Sequence, residues 1–169
     1  MCYNDIDTKL WEINLCHSSI KISKGKVIYI DPFKIDKNYN DADIIFITHD
    51  HYDHYSEEDI DKVRKSDTVI VAPEELLTKL LRKGFRQNYI ITIEPDEEDI
   101  VEGIKFETIP AYNTNKQFHP KENGWVGYII ELAGNRYYIA GDTDITEENK
   151  KVKCDVAFVP VRRHIYNGF

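Results

Sequence analysis

Four apolar residues, Ile44-Ile45-Phe46-Ile47, run directly into Thr48-His49-Asp50-His51-Tyr52-Asp53-His54. A short unbroken apolar run with β-branched residues reads as a strand buried on both faces, which requires cover on each side. The polar cluster then falls in the loop at that strand's C-terminal end, where open α/β sheets place their ligands. His49 and His51 are two apart, so in an extended segment both side chains point the same way and can share one metal ion. Asp53 and His54 follow where the chain turns toward a helix, and they face a second position beside the first. Imidazole with carboxylate suits zinc, and also iron, manganese, nickel or cobalt. The alternative is a polar surface loop. Three of the chain's six histidines within six residues weigh against it.

The stretch from Thr48 to His54 resembles the His-x-His-x-Asp-His signature of the metallo-β-lactamase fold superfamily. Ile30-Asp31-Pro32-Phe33, Ile109-Pro110-Ala111-Tyr112-Asn113, Gly141-Asp142-Thr143 and Phe158-Val159-Pro160-Val161 extend the likeness in the same order. Together they are similar to the small cytoplasmic metal-dependent hydrolases related to ascorbate-6-phosphate lactonase, across most of residues 10–161. The resemblance implies an α/β chain folded as a four-layer αββα sandwich. It implies up to two divalent metal ions per chain, zinc foremost, with manganese, iron or nickel open. His49 and His51 then hold one ion, Asp53 and His54 the second, and Asp142 bridges them; Asp53 and Asp142 are the catalytic carboxylates. The superfamily carries a histidine after the strand that ends here at Ile109–Tyr112. This chain has Asn113, a poor zinc ligand, and His119 in the following loop is either a metal ligand or substrate contact, or a loop-surface residue. A Gly-His pair often stands where this chain has Cys16-His17; a histidine packed at a strand end is the preferred reading there.

After Pro160-Val161 the resembling proteins continue with Gly-Gly-Thr-Tyr-Thr-Met-Asp, a helix, a strand and a further histidine ligand. This chain reads Arg162-Arg163-His164-Ile165-Tyr166-Asn167-Gly168-Phe169. One coding sequence for it, AGG CGG CAC ATA TAC AAT GGA TTT, gives the family's seven residues when its first base is removed. The expectation is therefore a reading-frame change over residues 162–169, a missing C-terminal helix and strand, and a His164 that is no ligand. Apolar faces left uncovered would favour self-association.

The rest of the chain reads as one domain over residues 1–169. Net charge is −8, which argues against a general nucleic-acid or membrane-surface binder. Three cysteines, Cys2, Cys16 and Cys154, lack metal-type spacing and fit reduced thiols in a cytoplasm. No signal peptide or membrane-length apolar run is expected. Trp11, Ile13 and Leu15 alternate as in a half-buried strand. Lys24-Gly25 suggests a hairpin ended by Asp31-Pro32. Ser56 with Glu57, Glu58 and Asp59 reads as a helix start buried through Ile60 and Val63. A strand over Asp67–Ala72 leads to a second helix opened by Pro73, with Leu76, Leu77, Leu80 and Leu81 as its apolar stripe. Asp96–Asp99 reads as a solvated turn. Strands follow over Tyr89–Ile93, Lys105–Pro110, Trp125–Leu132 and Arg136–Ala140, the last two joined at Gly134-Asn135, and then over Val156–Val161.

Three functions follow. The first is a metal-dependent hydrolase of a small-molecule ester, lactone or phosphoester, acting through a metal-bound hydroxide. The second is an inactive remnant that binds metal weakly or not at all. The third is a nuclease of the same superfamily, disfavoured by the missing basic surface.

Overall fold

A computed structural model describes residues 12–114 and 118–160, with backbone alone for 12–16. Strands β1 (Glu12–Cys16), β2 (Ser19–Lys24), β3 (Lys26–Ile30) and β4 (Ala42–Phe46) lead to helix α1 (Glu57–Val63). Then come β5 (Arg64–Pro73), a 3-10 turn over Glu74–Leu76, α2 (Leu77–Arg82) and β6 (Ile90–Ile93). The second half supplies β7 (Glu98–Val101), β8 (Ile104–Pro110), β9 (Val126–Leu132), β10 (Asn135–Ile139) and β11 (Val156–Phe158). The two halves make two sheets: β1–β6 in sequence order, and β11-β10-β9-β8-β7. β3 to β6 run parallel; β7 to β10 pair antiparallel.

The continuous apolar run in β4 is explained by its two faces. Ile44 and Phe46 pack into the core between the sheets, against Phe106, Val126, Tyr128 and Ile130. Ile45 and Ile47 pack outward with Ile60 and Val63 of α1, Leu76 of the 3-10 turn and Leu80 of α2. Phe46, Phe106 and Tyr128 meet edge to face, with centroids 5.3 Å and 4.9 Å from Phe46. Each such side chain, taken from water, contributes roughly 1.5–3 kcal/mol. The described residues thus supply an α layer and two β layers. Among the described residues, the outer face of the second sheet carries a small cluster around Ile129, Tyr138 and Ala140.

The Lys24-Gly25 hairpin forms as expected, with Gly25 at φ 71°. Ser56 caps α1, its hydroxyl accepting from the Asp59 amide. Other local readings need correction. The strand expected from Asp67 begins at Arg64. Pro73 closes that strand rather than opening a helix, because its ψ of 144° is extended. Leu76 and Leu80 are buried, whereas Leu81 is 42% exposed, so the stripe is narrower than four leucines. The acidic run reaches into β7, since Glu98 and Asp99 pair with Glu107 and Phe106. The β9–β10 turn uses Ala133 and Gly134, both at positive φ, and Asn135 already belongs to the strand. Among the described residues no helix is long and apolar enough to cross a membrane. The burial expected for Trp11, Ile13 and Leu15, the changed frame over 162–169 and His164 lie outside the described residues, as do Cys2 and the Cys16 side chain. Cys154 is a free, exposed thiol.

Candidate metal centre

The loop after β4 is tied down before it presents any ligand. Thr48 donates its amide to Asp31 Oδ1 at 2.8 Å and its hydroxyl to Asp31 Oδ2 at 2.7 Å. Its carbonyl accepts from Val126 of the second sheet at 3.2 Å, and Tyr128 Oη donates to the Ile47 carbonyl at 2.7 Å. Gly141, at φ 62°, passes over Thr48: a Cβ there would stand 3.2 Å from Thr48 Cβ and 3.1 Å from the Val126 carbonyl. Glycine is required for both reasons. The chain then coils, with His54 and Tyr55 amides donating to the His51 carbonyl, and enters α1.

Because the Thr48 hydroxyl proton goes to the Asp31 carboxylate, its oxygen accepts from His49 Nδ1 at 2.9 Å. His54 Nδ1 donates to Asp31 Oδ2 at 2.7 Å. Both imidazoles are thereby held as Nδ1–H tautomers, with Nε2 lone pairs turned toward the site. His49 Nε2 lies 3.2 Å from His51 Nδ1. Two nitrogens bound to one tetrahedral zinc stand about 3.4 Å apart, from Zn–N bonds of about 2.0–2.1 Å.

His49, His51 and His119 offer nitrogens within 4.8 Å of one another; His49, His54 and Asp142 form a second such group. Asp142 joins them, Oδ1 lying 3.6 Å from His54 Nε2 and Oδ2 3.8 Å from His119 Nε2. Asp53 stands to one side, its Oδ2 4.0 Å from His54 Nε2 and outside both groups. Asp50 points away, to Lys79 Nζ at 2.5 Å.

Asn113 is not among these donors. Its amide donates to the Phe118 carbonyl at 2.9 Å, and its backbone N–H to the His119 carbonyl at 2.8 Å. It closes the loop that turns His119, at φ 61°, inward. His119 is 8% exposed and therefore not a loop-surface residue. The Trp125 ring lies 4.7–4.9 Å from those of His49, His51 and His119, and its Nε1 donates to Glu75 at 2.5 Å.

Burial holds His49 far below the ordinary imidazole range, and neighbouring His54, His119 and His51 push it further. Burial also lowers His119, against the opposing charge of Asp142. For His54 burial acts downward, but the hydrogen bond and charge of Asp31, with Asp142 and Asp53, outweigh it and raise the group. A cluster that keeps His49 and His119 neutral, aims their lone pairs together and leaves His119 Nδ1 buried without a protein partner fits a bound cation.

His17 needs correction. It is not packed at a strand end; it occupies the two-residue β1–β2 turn at φ 60°, with its side chain 48% exposed. It stands beside Asp53 in the wall of a cavity of about 610 Å³, also lined by His54, Asp142, Ile139, Phe158 and Val159. Sequence reasoning also missed Asp31, Thr48 and Trp125 as supports of the site. Asp-Pro at the end of a strand that pairs beside β4 was the available signal for Asp31.

Known proteins share this fold. Residues 23–165 match the model of the β-lactamase superfamily domain. A UPF0173 metal-dependent hydrolase of Thermococcus onnurineus is 28% identical over 167 residues, 91% of this chain and 73% of that protein. One from Ligilactobacillus salivarius is 30% identical over 160 residues, covering 86% and 69%. A crystal structure from Parabacteroides distasonis, provisionally described as a metal-dependent hydrolase, superposes with a TM-score of 0.75 at 31% identity, over 96% of this chain and 76% of that one. With the fold, the motif and these relatives in agreement, the chain belongs to the β-lactamase superfamily domain family, in the company of the UPF0173 metal-dependent hydrolases.

Proposed function

We propose that the chain is a hydrolase of small-molecule esters, lactones or phosphoesters that works with two divalent ions, zinc best suited to the donors. The observation that carries this is Asp142, whose two oxygens face two donor groups sharing His49. His49, His51 and His119 would hold one ion; His54 and Asp53 would hold the other, with Asp142 between. Ions held there supply Lewis acidity, lowering the pKa of water toward neutrality and polarising the bond under attack. Thr48 and Asp31 keep the imidazoles in the binding tautomer. Trp125 shields the three-histidine side from water. The cavity beside His54 and Asp142 offers apolar walls for a small substrate. A net charge of −8 disfavours nucleic acid.

The position of Asp53 outside both groups favours a second reading, a chain that holds one ion at His49, His51 and His119 and turns nothing over. Metal analysis of protein purified without chelators, followed by lactone, carboxylic-ester and phosphodiester screens, separates the two. Two ions per chain with turnover abolished by chelator supports the hydrolase. One ion without turnover supports the second reading. Undiminished turnover in His49→Ala would sink the metal-dependent reading altogether.

A further inference from the structure

We propose that His17 is a positioning residue for Asp53, holding its carboxylate toward the second metal position; this rests on the two-ion reading above. The β1–β2 turn is pinned to the metal loop across 35 residues of sequence, Ser18 Oγ donating to the Asp53 carbonyl at 2.7 Å. That bond fixes where His17 stands. Its Nε2 then lies 3.6 Å from Asp53 Oδ2. The ring is steadied edge-on by Phe33, centroids 5.5 Å apart, and Phe33 in turn meets Tyr52 of the metal loop at 6.0 Å.

Among the described residues lining the cavity there is no lysine or arginine, while Asp31, Asp53 and Asp142 are all present. Like charges this close repel one another, so a group of opposite or donor character beside Asp53 favours its place in the cavity. Among the described residues, the imidazole nitrogens of His17 and His54 lie within 4.0 Å of Asp53 Oδ2. His54 is already engaged elsewhere, its Nδ1 bonded to Asp31 Oδ2 at 2.7 Å and its Nε2 nearer Asp142 Oδ1, at 3.6 Å, than Asp53. His17 is the nearer of the two, its Nε2 at 3.6 Å against 4.0 Å for His54, and the Ser18 bond places its turn. A non-glycine residue at φ 60° costs on the order of 1 kcal/mol or more, and such strain persists where a site uses it. His17 acts through Asp53 rather than as a ligand: His17, Asp53 and His54 do not converge as a donor group.

The test is zinc uptake by wild type, His17→Ala and His17→Gln, followed by calorimetry and metal analysis, with thermal melts of the metal-free proteins as fold control. Removal of a group that orients a ligand typically weakens metal affinity about 10–100-fold. His17→Ala should lose that factor at the second ion alone and keep the first unchanged. His17→Gln, which keeps a neutral N–H donor of similar reach, should recover part of it. In a double-mutant cycle His17→Ala should add nothing to Asp53→Ala. Wild type taking two ions and His17→Ala binding both as tightly overturns the role of His17 alone. Equal weakening of both ions overturns it as well, by showing a general effect on the fold. Wild type taking no second ion overturns this inference together with the two-ion reading.

Discussion

Asp31→Asn isolates what the buried carboxylate does for the site. Asp31 is 2% exposed and sits at φ 47°, a conformation asparagine also tolerates, so the backbone gives no reason for change. The amide oxygen can keep the Thr48 N–H bond of 2.8 Å. The amide nitrogen then replaces Oδ2, which accepts from the Thr48 hydroxyl at 2.7 Å and from His54 Nδ1 at 2.7 Å. Two donors now face a donor. The Thr48 hydroxyl can rotate to accept, but the His54 ring must move its proton to Nε2. Hydrogen bonds to charged groups are worth about 1.5–3 kcal/mol each, and the isostere recovers part of that, so a stability loss of about 2–4 kcal/mol is expected in urea. The proton on Nε2 removes the lone pair that faces Asp142, and the affinity for the second ion should fall about 10–100-fold, about 1.4–2.7 kcal/mol. Urea melts of metal-free protein measure the first quantity, zinc calorimetry the second, and long-range ¹⁵N–¹H spectra of the imidazoles report the tautomer. If His54 keeps Nδ1–H and zinc binds within twofold of wild type, the reasoning fails at its central step.

Gly141→Ala places a Cβ 3.1 Å from a carbonyl at positive φ, so it should cost about 1–3 kcal/mol in denaturant and weaken both ions through displacement of Asp142. Tyr128→Phe removes the donor to the Ile47 carbonyl and should cost about 1 kcal/mol without changing the aromatic packing, as read from urea midpoints. Burial acts to raise the Asp59 carboxyl, but bonds from Ser56, Lys62 and the amides of Ile35 and Lys34 outweigh it and hold the group low. Its contribution is therefore complete above the unfolded value near 3.9 and is lost as pH falls through the lower folded value. Asp59→Asn should be less stable at pH 7 yet show a flatter decline between about pH 4 and pH 2 by thermal melts.

The β4 run and the motif behind it were legible because burial on both faces and ligand density leave direct marks on a sequence. Ile44 and Phe46 face one core and Ile45 and Ile47 the other, as an unbroken run requires. Turn positions were less legible. Gly134-Asn135 looked like the β9–β10 turn, yet Ala133 takes a left-handed φ of 50° to satisfy the register Asn135↔Leu132. Pairing across strands decided this, and local propensity cannot express it. The supports of the site were hidden for a related reason. Asp31, His17 and Trp125 lie far from the motif in sequence and meet it only because β3 pairs beside β4, the β1–β2 turn docks on Asp53, and the second sheet closes over the first.

That closure also explains why the site depends on the whole fold. The first sheet supplies His49, His51, Asp53 and His54; loops of the second supply His119 and Asp142. The sheets are joined next to the site by the Val126–Thr48 and Tyr128–Ile47 bonds, and deeper in by Phe46 against Phe106. An ion shared between the two sets of donors bonds across the same seam. Such an ion binds the folded chain and not the unfolded one, because no short segment carries the full set. Linkage then stabilises the fold by RT ln(1 + [M]/Kd), about 2.7 kcal/mol at a free ion concentration of about one hundred times Kd. An equal gain from zinc in wild type and in the double variant His119→Ala/Asp142→Ala would mean that the ion sits on the His49–His54 loop alone. The seam would then be held by side-chain packing, and the argument for a site spanning both sheets would be lost.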